Sequence, residues 1–301
     1  MQTSFFSTRQ SEVEEIVPLL ETFQFRQAAK AIGQLSGAGT FIPNKKIYIR
    51  CLNYCGENGL NASSASQEII HLWEILHQEQ ACDGQASPNT RFLFKIFAKR
   101  LLDLDAFDKN GLLQNHSHIF HRSACLMQRQ KFSEAYKSLR DFLSRADFKI
   151  PARYWGYFGD ASHRLHKMKE ANLGYLRLLA QNPFDVDWST FQHQTLAALF
   201  EKQFNRHGLQ KAYGLWPFYA WANKYINVPQ NHLFISELLE NTSAQHDLGL
   251  EPTAMERLHE FKLLVFHEQA LGKPGAAPEI RRRMRELEPA LFQLYLSIIS
   301  Q

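Results

Sequence analysis

The chain reads as all-α, a right-handed superhelix of stacked antiparallel helical hairpins (an α-solenoid) with roughly 13–15 helices counted from 3.6-residue periodicity. Three observations predict this. A phrase of one large apolar residue, two polar residues and alanine recurs at Phe25–Ala28, Phe132–Ala135, Met168–Ala171 and Leu209–Ala212. Each alanine is followed at +4 by Ile32, Leu139, Tyr175 or Trp216, and at +7 by Leu35, Phe142, Leu178 or Tyr219. A small residue with large ones at these offsets is one helix face whose small position admits a neighbouring helix. The phrase returns after 36 residues from Ala135 to Ala171 and after 41 from Ala171 to Ala212, a period that marks stacked helical repeats.

In chain order, residues 1–10 are expected to be a flexible N-terminus. Ser11–Glu14 forms a capping-box pattern. The segment 24–36 carries the first alanine face and stops at Gly37. Pro43 and Pro88 stand where a first-turn proline is tolerated, giving helices over 43–56 and 88–104. Between them, 61–81 is amphipathic, with Ile69, Leu72, Trp73 and Leu76 on one side. Residues 82–87 and 105–115 are loop-like. Helical patterns resume over 116–128, 131–146, 151–166, 168–181, 186–204, 208–224, 229–241, 252–270 and 278–300. Pro289 is expected to break the last of these, and Pro217 to kink or cap its own segment. The chain then divides into degenerate hairpins over 11–115, clearer repeats over 116–224, and C-terminal helices ending in a capping helix over 225–301.

Composition bounds the function. The 301 residues are 45% hydrophobic and 13% aromatic, enough for a buried core and against disorder. A formal charge of +4 and a pI near 8.8 are mildly basic, less than nucleic-acid domains usually carry. Cys51, Cys55, Cys82 and Cys125 make neither a zinc spacing nor a disulfide scaffold. No stretch reaches the roughly 20 apolar residues of a membrane span, and the N-terminal residues lack a signal-peptide core. A cytoplasmic protein is expected.

Trp155, Phe158-Gly159, Ala171, Tyr175 and Pro183 fall at the offsets of a tetratricopeptide repeat, so the unit 152–183 resembles that family; the family's first-helix tyrosine is replaced by Ser162. The unit 117–150 keeps Ile119, Ser123, Ala135 and Leu139, and 209–219 keeps only the second-helix face. The resemblance implies a groove lined by first-helix residues, here Phe120, Met127, Arg153, Asp160, His163 and Arg164. The family's clamp for a peptide carboxylate needs Lys and Asn at positions that here hold Phe120, Ala124, Gly156 and Asp160, so that activity is not carried over. A fainter echo over 43–105, with Pro43-Asn44 and Pro88-Asn89, is similar to a pentatricopeptide unit, whose family reads RNA.

Chemical constellations are sparse. His116, His118 and His121, with His163 and His166 a repeat later, form the one metal-like set, in which His118 and His121 would share a helix face at i, i+3. His259-Glu260 and His267-Glu268 lack the second histidine of a zinc-protease helix. Asp185 and Asp187 read as caps of the following helix. Arg281, Arg282, Arg283 and Arg285 form one basic patch, and Lys95, Lys99 and Arg100 another. The expected function is a non-enzymatic scaffold or adaptor that takes a peptide or partner helix in a concave groove, without a cofactor. The alternatives are an RNA-binding helical repeat, and an enzyme or metal-binding protein on a helical frame.

Overall fold

The computed structural model describes residues 18–19, 24–34, 49, 62–84, 88–115, 118–144, 150–230, 235–236, 239, 253–272 and 277–300. Among them are twelve α-helices and one two-stranded sheet. In order these are α1 (Phe25–Gln34), α2 (Ala62–Asp83), α3 (Pro88–Asp103), β1 (Leu112–Asn115), β2 (His118–His121), α4 (Ser123–Gln128), α5 (Phe132–Leu143), α6 (Ala152–Arg164), α7 (Met168–Gln181), α8 (Gln194–His207), α9 (Leu209–Ala222), α10 (Ala254–Ala270), α11 (Pro278–Leu287) and α12 (Pro289–Ile299). A single 3-10 turn spans Pro183–Asp185. The chain is mainly helical, as its periodicity predicts. The Ser11 capping box, nearly all of the Pro43 helix and most of 229–241 lie outside the described residues.

Packing follows chain order. α3 contacts α4, and contact then passes successively through α5, α6 and α7. It resumes from α8 through α9, α10, α11 and α12. The α6–α7 pair is the tightest, for a local reason. A Cβ on Gly174 would lie 2.5 Å from the Gly159 nitrogen and 2.7 Å from the Trp155 carbonyl oxygen. The two backbones therefore touch where neither helix has a side chain. Around that contact Trp155, Phe158, Ala171, Tyr175 and Leu178 are buried, and the Arg177 guanidinium covers the Trp155 ring at 4.1 Å.

Two expected helices are corrected. The segment 116–128 is not continuous helix: β1 and β2 pair antiparallel, with Leu113 opposite Phe120 and Leu112 opposite His121, and α4 begins only at Ser123. The turn into β1 is set by Asp108, whose carboxylate accepts from the Asn110 and Leu112 amides at 2.8 Å each. Gly111 follows at φ +77°, where its missing Cβ avoids the side chains of His121 and Arg122. In a strand alternate residues face opposite ways, so Phe120 packs on Trp73 at 5.1 Å while His121 stacks on Phe142 at 4.3 Å. The segment 186–204 is likewise helical only from Gln194, where His193 caps α8 by accepting from the Leu196 amide. Pro217 lies inside α9, and Pro289 separates α11 from α12.

α10 opens with a capping box between Thr253 and Glu256. Its buried Lys262 donates to the Leu179 carbonyl at 2.8 Å, tying α10 to the end of α7. Burial pushes the Lys262 ammonium down to about 7. An unfolded lysine holds its proton to about pH 10.4, so between these values the unfolded chain binds more protons and stability rises with pH. Urea unfolding should show this climb from pH 7 to 10, at up to about 1.4 kcal/mol per pH unit. In Lys262→Met it should be absent.

Candidate functional site

α6 carries Arg153, Tyr157 and Asp160 on one face at i, i+4 and i+7. After α7 the chain turns back over this face. Asn182 accepts from the Phe184 amide to set the 3-10 turn, and the segment that follows meets α6 residue by residue. Asp185 accepts from the Arg153 amide at 2.8 Å and faces the Arg153 Nε at 3.0 Å as an ion pair. Asp187 accepts from the Tyr157 hydroxyl at 2.7 Å and from the Ser189 amide at 2.9 Å. Gln128 also reaches Ser189. Asp160 accepts from the Tyr175 hydroxyl at 2.7 Å and the Gln192 amide at 2.8 Å. Asp185 and Asp187 therefore brace α6 rather than cap α8, a correction to the expected role.

Helix α2 completes the cover. Glu74 accepts from Arg153 Nη1 at 3.0 and 2.8 Å, Trp73 packs on Phe94 and Phe120, and Gly84 at its far end sits against Leu209 and Phe200. One helix from early in the chain thus touches the β-hairpin, α6 and the α8–α9 pair. Burial works against the Arg153 charge, but Asp185 and Glu74 more than offset it and hold its pKa above the ordinary value. Burial also raises Asp160 well above the carboxylate range and lowers His77, beside Arg153, well below the imidazole range.

These contacts reassign the expected groove residues. Phe120, Met127 and Asp160 are buried and offer nothing to a ligand in a groove. Arg153 is only 14% exposed and is spent on two carboxylates of its own chain. His163 stays half-buried and Arg164 exposed, its guanidinium over Phe132 at 5.2 Å. The candidate metal pair loses its premise, because His118 and His121 lie in strand β2 and not at i, i+3 of a helix. His121 is committed to Ser123 Oγ at 2.7 Å, and burial drives its pKa down to about 4. His163 and His193 lie 5.4 Å apart, but His193 Nδ1 accepts a backbone bond, which places its proton on the other nitrogen. Among the described residues no three His, Cys, Asp or Glu side chains group to hold a metal. Burial pushes the Cys125 thiol up, away from reactive thiolate.

What remains outward is different in kind. In the C-terminal patch Arg281 bonds Glu268 at 2.6 Å and Arg283 bonds Glu260 at 2.7 and 2.9 Å, so only Arg282 and Arg285 stay exposed. Beside them α12 is almost wholly apolar, yet only Phe292 and Tyr295 are buried. Leu294 is 36% exposed, and Leu291, Leu296, Ile298 and Ile299 are partly covered. A cleft of about 590 Å³ lies between the starts of α9 and α10, rimmed by Lys211, Arg257 and Glu288. Among the described residues no helix is long and apolar enough to cross a membrane.

Comparison with protein-family models, with curated proteins and with solved structures finds no match to this chain.

Proposed function

We propose that this chain is a non-enzymatic scaffold of stacked helical hairpins, similar in build to tetratricopeptide proteins, that binds an acid-flanked amphipathic helix on the outer face of α12. The resemblance over 152–183 and the chain-order packing support the build. The observation that carries the reading is α12 itself, an apolar helix without a charged residue and with two buried positions. An apolar helix face of this kind marks a docking surface. On its border Arg285 is exposed with its guanidinium over Phe292 at 5.4 Å, while the exposed Arg282 pairs with Glu286 at 3.8 Å. A helix with apolar anchors at i, i+3, i+4 and i+7 and flanking Asp or Glu fits both features. A second copy would bring an uncharged α12 and leave Arg285 unanswered.

Fluorescence anisotropy with a synthetic leucine-striped peptide helix tests this. The Glu-flanked peptide should bind, and its Lys-flanked isomer should not. Leu294→Glu should weaken binding by about tenfold or more, roughly 1.4 kcal/mol, with the circular dichroism unchanged. The double reversal R282E/R285E should shift preference towards the Lys-flanked isomer. Indifference to flanking charge, or full binding by the Leu294→Glu chain, would overturn the reading. So would sedimentation showing a dimer that Leu294→Glu dissolves, since the occupant would then be a second copy.

A further inference from the structure

We propose that the outer face of α3 is a phosphate ladder that binds single-stranded nucleic acid. The inner face of this helix is apolar, with Leu93, Phe94, Ile96, Phe97, Ala98 and Leu101 buried. Its outer face presents Arg91, Lys95 and Lys99, all exposed. At 1.5 Å rise per residue, cations four residues apart stand about 6 Å from one another along the axis, a pitch comparable to successive phosphates on one strand. No acid lies between them, and Asp103 one turn further on closes the ladder. Among the described residues none of the three is in an ion pair.

The rest of the molecule sharpens the contrast. Glu74, Asp160, Asp185, Asp187, Glu260 and Glu268 are turned inward or engaged by inward groups, against Arg153, Lys262, Arg281 and Arg283. Among the described residues the exposed large apolar side chains are Met168, Phe204, Tyr225 and Leu294, none of them on α3. A protein partner would need an apolar anchor, whereas phosphates need only spaced cations. The pattern on α3 is of the second kind.

The test is anisotropy of a fluorescein-labelled oligouridylate with the full chain over a salt series. Binding is expected at low salt, with log K falling against log salt at a slope of about −2, from about 0.7 per single-strand contact. The triple reversal R91E/K95E/K99E should weaken binding about tenfold or more and flatten that slope, with R91Q/K95Q/K99Q as the milder check should the reversal unfold the chain. The double reversal R282E/R285E should leave affinity within twofold. The proposal is overturned by no binding at low salt, by a triple glutamine variant that binds as the parent does, or by equal loss in R282E/R285E. Polyglutamate competing as well as the oligouridylate would also overturn it, in favour of an acidic polypeptide.

Discussion

Replacing Arg153 with alanine is expected to destabilise the chain by about 3–5 kcal/mol, the usual effect of removing one member of a buried charge network. The side chain answers Glu74 through two hydrogen bonds and Asp185 through an ion pair. Its loss leaves two inward carboxylates without a counter-charge. The measurement is urea unfolding at neutral pH, with Arg153→Met, Glu74→Gln and the double variant completing a cycle. A coupling above about 1 kcal/mol is expected for groups in direct contact; additive losses would show that α2 is not clamped to α6 through this pair. On an open groove the same substitution would have been a mild surface change.

Gly174→Ala should also be strongly destabilising, against the helix propensity that favours alanine by about 1 kcal/mol. Steric crowding decides the sign. The new Cβ would meet the backbone of α6 at 2.5 Å from Gly159 nitrogen and 2.7 Å from its Cα, and backbone cannot rotate aside. Opening the α6–α7 contact would loosen Trp155, Tyr175 and Leu178 together, giving a net loss of about 2–3 kcal/mol for an overpacked site. Thermal melting followed by circular dichroism reads this. A Gly174→Ala chain as stable as the parent would mean that the two helices are not in backbone contact.

The α6–α7 hairpin was legible because its signal is local. Trp155, Gly159, Ala171 and Tyr175 lie within one unit, and their spacing alone sets which faces meet. Gly174 escaped because the alanine register marks Ala171 as the small position, while the closest approach falls three residues on. The β-hairpin was missed because histidines at 118 and 121 fit i, i+3 of a helix as well as they fit a strand. The Asp108 turn that decides between them is set by side-chain bonds to the backbone. The groove was misread for a different reason. Arg153 and Asp160 do lie on the first-helix face, but Glu74, 79 residues earlier, and the returning segment 182–193 cover them. Contacts at that separation leave no local periodicity. The partners of Arg281 and Arg283, 13 and 23 residues earlier, were hidden because they lie on another helix, α10.

The central claim is that this chain fills the α6 face from within and meets its partner at α12. The most direct measurement places a photo-crosslinking residue at Arg164, the exposed end of the α6 face, and separately at Leu294, in full-length protein in its own cells. The expected result is a crosslink from position 294 to an acid-flanked amphipathic helix, and none to that partner from position 164. Crosslinking of the partner from position 164 alone would contradict the account and return the binding surface to α6.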